Sequence, residues 1–360
     1  MWNPVPATSE KEAQLRAAAR SDDGFFSTFV LRKISTLFTS ALVETRIKPN
    51  TITIISMIFG VSAAYLASQG KYLVGGIALF FSLVLDCVDG EVARYKKEFS
   101  RLGAWLDALS DRVKEYAYVA GLIYSANDES VWWLGIAVVI LQTMRHLSDY
   151  NFVRLQNLHE GAGVTHTRHG AIYWLKKIIH LPIGERWLLL LVLPSLHSMH
   201  NLLLIMLYLG IISFGYVILG RARRVSRWPS KSITGQFLIW QRDTVLPIPI
   251  SASPISWTAP SLLRLCEFIA LLLIPLDIPA FLRFLLITSV ALWHYANLYD
   301  ALRDQNPILG RAGFRLLGRV GLVYFAHLLG FDSQVAILLS IYLLILVLLR
   351  GVHNVRKEVA

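Results

Sequence analysis

A chain of 360 residues that is 55% hydrophobic and only 16% charged, with a mean hydropathy of +0.51, departs from soluble domains of similar size, which carry about 25% charged residues. Its apolar residues gather in blocks of about 20, enough to cross a bilayer as helices, so an ordinary soluble fold is excluded. A formal net charge of +11 would suit nucleic acid, yet the lysines and arginines fall between the apolar blocks in the pattern of positive-inside loops, and no nucleic-acid partner is expected.

In chain order, residues 1–23 are polar and read as a tail, with no secretory signal expected. Residues 24–48 are amphipathic, setting Phe25, Phe26, Phe29, Leu31, Ile34, Phe38, Leu42 and Val43 against Arg32, Lys33, Thr36, Ser40 and Arg46. They predict a helix lying in the membrane interface. Pro49 opens a first span over residues 51–67. A second span covers 72–92 and a third 102–124, and the acidic loop at 127–130 is read as external.

A fourth span at 131–150 is followed by a basic connection over 151–186. The apolar run 187–219 is too long for one helix and is broken near Pro194, His197 and His200, so it predicts spans five and six. The two histidines read as interfacial groups at that outer turn. The basic cluster at 221–231 should face the cytoplasm. After a proline-marked linker, apolar blocks at 262–276, 280–298, 320–329 and 335–349 predict three or four more helices. Cys87 and Cys266 offer no disulfide framework.

The predicted fold class is an all-α polytopic membrane protein. It divides into a polar tail (1–23), an interfacial amphipathic helix (24–48), a six-helix catalytic membrane domain (49–224), a cytoplasmic linker (225–260) and a C-terminal helical extension (261–360).

The chemistry concentrates at 85–112, LDCVDGEVARYKKEFSRLGAWLDALSDR. Asp86 and Asp89 form one pair and Asp107 and Asp111 another, each sharing one face of its helix. A carboxylate at the bilayer centre costs about 2.5 to 3.5 kcal/mol, so four of them require compensation. Oxygen ligands converging from two helices suit hard divalent cations, Mg2+ or Mn2+. Two such ions would neutralise charge on the attacking and leaving oxygens of a phosphoryl transfer. Buried carboxylates alone would also fit a cation-transport path, or a non-catalytic scaffold.

The same stretch spells D-x2-D-G-x2-A-R-x8-G-x3-D-x3-D, with Asp86, Asp89, Gly90, Ala93, Arg94, Gly103, Asp107 and Asp111 at the fixed positions. It resembles the signature of the CDP-alcohol phosphotransferases, an integral-membrane family. The resemblance implies metal-dependent transfer of a substituted phosphate from a CDP-alcohol to an acceptor hydroxyl with release of CMP, in phospholipid or phosphodiester biosynthesis. The donor would be CDP-diacylglycerol or a soluble CDP-alcohol such as CDP-inositol. It further implies a homodimer in a bacterial or archaeal-type membrane with its active site toward the cytoplasm, and Gly60 and Ala64 offer small faces for that dimer.

By the same resemblance Asp86, Asp89, Asp107 and Asp111 bind two ions, and Asp111 is also the general base. Asp86, Gly90, Ala93, Arg94 and Gly103 face the CDP group, joined by Asn50 and Thr53, which resemble the family's Asn-x2-Thr pair. Glu91 reads either as a cytosine contact or as a solvated charge. For the acceptor, Arg145, Arg154 and Arg186 occupy regions where members using phosphorylated acceptors carry basic groups, and each also reads as a positive-inside anchor. GERW at 184–187 resembles inositol-phosphate-using members, and SDDGFFSTFVLRKIS resembles members that make di-inositol phosphate compounds. His294 and Tyr295, with Asp300 and Arg303, read as structural pairing before a second site.

Overall fold

The computed structural model describes residues 10–19, 24–160, 170–228, 256–302 and 312–359, and every regular element among them is helical. A short α1 (Glu10–Ala18) precedes a π-helical turn, Ser27–Leu31, that runs directly into α2 (Arg32–Leu42). Lys48 is extended and Pro49 occupies the first turn of α3 (Pro49–Ser68), where a missing N–H costs nothing. Gly70, at φ +72°, turns the chain back into α4 (Tyr72–Lys96). Lys97, itself left-handed, ends α4 by donating its amide to the Ala93 carbonyl.

Next come α5 (Arg101–Ala126), α6 (Glu129–Glu160), α7 (Ala171–Ile179) and the ten-residue α8 (Ile183–Val192). The remainder is α9 (Met199–Val225), α10 (Ala259–Leu273), α11 (Ala280–Leu302), α12 (Arg315–Leu328) and α13 (Asp332–Val359). Six of these, α3, α4, α6, α9, α11 and α13, are long and apolar enough to cross a membrane over most of their length. The chain is an all-α polytopic membrane protein.

The structure differs from the sequence reading in three places. The 151–186 connection is largely helical: α6 runs on to Glu160 and α7 follows. The fifth span is not a single rod, because α7 and the segment Ile183–Ser195 meet at a 69° bend. Helix α5 has span length but fails on composition, since Asp107, Asp111, Arg112, Lys114 and Glu115 crowd residues 107–115. All four C-terminal blocks are helices, yet α10 and α12 have only 15 and 14 residues.

The chain divides into two compact units that interleave in sequence. One joins the described parts of Met1–Ala126, Trp174–Met199 and Asn354–Ala360, the other those of Asn127–Tyr173 and His200–His353. In the first, α3 is the central rod. Gly75 of α4 lies against the Ala63 carbonyl and the Ala67 amide, and Gly121 of α5 lies against the Ala64 carbonyl, the close approach that small residues permit in membranes. Ser56 and Ser82 each donate a 2.8 Å hydrogen bond to the other's carbonyl, tying α3 to α4. Gly60 and Ala64 are therefore consumed inside this unit, Gly60 against the Lys114 side chain and Ala64 against Gly121. They are not free faces for a dimer.

In the second unit α6 and α11 share a polar seam, with His146 Nδ1 2.8 Å from the Tyr295 hydroxyl and the Tyr150 and Tyr299 hydroxyls 3.0 Å apart. Deeper in this unit, Glu267 of α10 takes both Arg319 and His294. The pairing expected for His294 is thus present, but with Glu267. The Asp300 side chain and Arg303 lie outside the described residues. His197 and His200 are exposed.

Candidate functional site

The four motif aspartates come from the end of α4 and the beginning of α5, so the two pairs meet where the helices are joined by the short 97–100 connection. Asp86, Asp89 and Asp107 each offer a carboxylate oxygen within 4.8 Å of the other two. Oxygen-only ligands at that spacing fit a hard cation such as Mg2+ or Mn2+. Asp89 is buried at 4% exposure, Asp86 is partly buried and Asp107 is exposed, so the cluster has a dry side and an open side.

A cavity of about 170 Å3 opens beside the aspartates, and Asp86, Asp89, Asp107 and Asp111 all line it. Gly90 and Arg94 continue the wall along α4. A methyl group on Gly90 would sit 3.1 Å from the Arg94 Nη1, so the absence of a side chain there lets the guanidinium lie along the helix. Arg94 Nε also donates to the Ala18 carbonyl of α1. Ala93 stands outside the cavity wall, half-buried. Gly103 serves packing: an added methyl would lie 2.6 Å from Asn50 Oδ1 and 2.8 Å from Ser100 Oγ. Thr53 reaches the site differently from the sequence expectation, donating a 2.6 Å hydrogen bond to Asp89 Oδ2.

The opposite wall comes from elements the motif does not contain. Ser27, Leu31 and Arg32 enter from the π turn and the start of α2, and Ile183, Gly184 and Trp187 enter from α8. Glu91 explains how α2 is held there. Its Oε1 accepts hydrogen bonds from Arg32 Nη1 at 2.8 Å and Ser35 at 2.7 Å, and its Oε2 accepts one from Thr39 at 2.7 Å. Glu91 is thus a buried anchor and not the solvated charge of one reading. Glu185 of α8 caps the other end, accepting the Phe25 and Phe26 amides at 2.5 and 3.4 Å. Trp187 is fully buried, and its Nε1–H has no hydrogen-bond partner among the described residues.

Sequence reasoning missed Lys114. It is wholly buried, donates to Asp86 Oδ1 at 2.6 Å and to Ser56 at 3.1 Å, and lies 3.1 Å from Asp111 Oδ1. Its place one turn after Asp111 on the same helical stripe was the available signal. A cation fixed between two of the carboxylates also weighs against an ion-conducting path.

The three arginines proposed for the acceptor part company. Arg186 belongs to the first unit and lies 3.6 Å from Glu115, which also binds Arg112 at 2.6 Å. Arg145 belongs to the second, where it donates to Ser213 at 2.6 Å and pairs with Asp149 at 3.3 Å. Arg154 is on α6, and its side chain lies outside the described set.

Comparison with known proteins bears directly on this architecture. Residues 46–180 match the family model described as CDP-alcohol phosphatidyltransferase. A bifunctional IPC transferase and DIPP synthase of Thermococcus kodakarensis is 30% identical over 145 residues, covering 39% of this chain and 33% of that protein. The protein of the same name from Archaeoglobus fulgidus is 38% identical over 125 residues, covering 33% and 25%. A phosphatidylinositol phosphate synthase of Mycobacteroides abscessus is 36% identical over 115 residues, covering 31% and 47%. The chain thus spans a quarter to a half of the length of these relatives.

Proposed function

We propose that this chain, whose residues 46–180 match the CDP-alcohol phosphatidyltransferase family model, transfers a substituted phosphate from a CDP-alcohol to an acceptor hydroxyl and releases CMP. The observation that carries the reading is the convergence of all four motif aspartates on one cavity that Gly90 and Arg94 also line. Asp86, Asp89 and Asp107 would hold a divalent cation, Mg2+ or Mn2+, which when bound supplies the positive charge that a pyrophosphate and its leaving CMP require. Arg94 contributes fork-shaped donors to the same phosphates. Asp111 takes the proton of the acceptor hydroxyl, whose oxygen forms the new bond to phosphorus as the bond to CMP breaks.

The acceptor enters along the α2 and α8 wall, where the Trp187 N–H is available as a donor. A phosphorylated inositol-type alcohol is favoured by the names of the relatives and by Arg186, which is on the helix forming that wall. The donor is CDP-diacylglycerol or a soluble CDP-alcohol. Orientation follows from charge: Arg94, Lys96 and Lys97 cluster at the site end of α4, whereas Asp128 and Glu129 follow the far end of α5. The site therefore faces the cytoplasm. Residues 49–224 are the catalytic region in this reading, and the active protein is a homodimer.

The test is CMP release by the purified protein in nanodiscs with Mg2+, offering CDP-diacylglycerol or CDP-inositol with inositol 1-phosphate, glycerol 3-phosphate, inositol or serine. Metal-dependent release with one donor and acceptor pair is expected, and Asp111→Asn should reduce it about 10^2- to 10^4-fold. Release that ignores chelators, or that survives Asp111→Asn at full rate, would overturn the assignment.

A further inference from the structure

We propose that Lys114 takes the place of a second metal ion, so that the aspartate cluster binds one divalent cation, on Asp86, Asp89 and Asp107. The inference rests on the reading of those three residues as metal ligands, and on nothing about the substrates.

A second ion beside the first would lie about 3.5 to 4 Å away and needs carboxylates arranged around it. Asp111 is the one motif carboxylate outside the first ion's ligand set, so a second ion would be held by Asp111 together with an aspartate shared with the first, and Asp86 is the one beside Asp111. These are the two residues that the Lys114 ammonium holds, at 2.6 Å from Asp86 Oδ1 and 3.1 Å from Asp111 Oδ1. It also donates to Ser56 Oγ at 3.1 Å. The ammonium thus donates to Asp86 and Ser56 and forms an ion pair with Asp111. A dication at the same oxygens would stand against a like charge at contact distance.

The lysine is also built in. Its side chain is 0% exposed, and its stem crosses α3 at Gly60, where an added methyl would fall 2.5 Å from Lys114 Cγ and 2.8 Å from Cδ. Ser56, which accepts from Lys114, is itself locked to the Ser82 carbonyl of α4. Retracting Lys114 to admit an ion would break that packing and leave an ammonium in the apolar interior, a costly outcome. Charge agrees with geometry. Four carboxylates are matched by one divalent cation, Lys114 and the cavity-lining Arg94, with no further ion required.

The experiment counts Mn2+ bound per chain by electron paramagnetic resonance, using protein in nanodiscs titrated with Mn2+ alone and corrected for empty nanodiscs. Wild type should bind one tight ion with the six-line signal of an isolated Mn2+. Lys114→Met should bind two with a spin-coupled spectrum, and Asp89→Asn should lose the tight site. Two coupled ions in wild type, or one ion still in a folded Lys114→Met, would overturn the inference. The wild-type spectrum decides even if Lys114→Met does not fold. The outcome is separable from the proposed reaction: CMP release with two coupled ions rejects only the role of Lys114, whereas one ion without CMP release rejects only the reaction.

Discussion

Thr53 shows how much a single hydroxyl decides at this site. Its 2.6 Å bond to Asp89 Oδ2 fixes the carboxylate that is most deeply buried among the three proposed cation ligands, and groups that orient ligands in this way typically change metal affinity about 10- to 100-fold when removed. Thr53→Val, which keeps the shape and loses the donor, should therefore weaken Mn2+ binding at least about tenfold. Thr53→Ser should restore most of it, and unchanged affinity in Thr53→Val would show that Asp89 is held by other means. The aspartates were legible in the sequence because four acidic residues inside apolar segments need an explanation whatever the fold. Thr53 was legible only through a family resemblance, which pointed it at the nucleotide. Lys114 was not, because a lone lysine one turn after a carboxylate reads equally as a solvated helical pair. Only the packing of α3 against α5, with Gly60 clearing the path, turns it inward.

At the scale of the element, α2 inverts the usual logic of an interfacial helix. Ser27, Leu31, Ser35 and Thr39, four residues apart, form the buried seam, while Phe29, Leu37 and Phe38 are exposed. The hydroxyls point inward because Glu91 waits there, and the aromatic side faces outward, where lipid would solvate it. The sequence pattern of aromatic against charged positions located this helix but assigned its faces by hydrophobicity alone. That rule fails when the neighbour presents a buried carboxylate. Removing one partner from such a buried pair costs about 3 to 5 kcal/mol. Glu91→Ala should accordingly lower the thermal unfolding midpoint by roughly 5 °C or more and open the segment around residue 24 to protease. Joint replacement of Glu91 by Leu and Arg32 by Met should recover part of the loss. A Glu91→Ala protein with wild-type midpoint and protease resistance would refute the anchor. Helix α8 was hidden for a related reason: hydropathy sees one long apolar run, whereas Gly184 and Glu185 bring a ten-residue helix against Phe25 and Ser27 at the π turn that precedes α2.

Over the whole molecule, composition announced the membrane and the helical class, and the apolar blocks located most of the spans. What it could not show is which helices pack together, because α6 and α9 group with the C-terminal helices rather than with their neighbours in sequence. The second unit is centred on charges that a hydropathy profile counts only as interruptions. Arg319 binds Glu267 through Nε at 2.5 Å and Nη2 at 3.0 Å, donates to the Gly313 carbonyl through Nη1 at 2.7 Å, and shares the glutamate with His294 at 2.8 Å. Glu267 and Arg319 have 0% side-chain exposure. Such a cluster offsets its own desolvation only while complete, so the two ways of altering it should differ in sign. Glu267→Ala leaves a buried guanidinium without its counter-ion and should destabilise the protein by about 3 to 5 kcal/mol. Replacing Glu267 by Leu, Arg319 by Met and His294 by Leu together removes every charge at similar volume and should fall near wild type or above it. Thermal unfolding of the two variants side by side decides: equal losses would mean that the cluster stabilises the unit by its charges, and a loss confined to Glu267→Ala would mean that it specifies how α10, α11 and α12 dock without adding net stability.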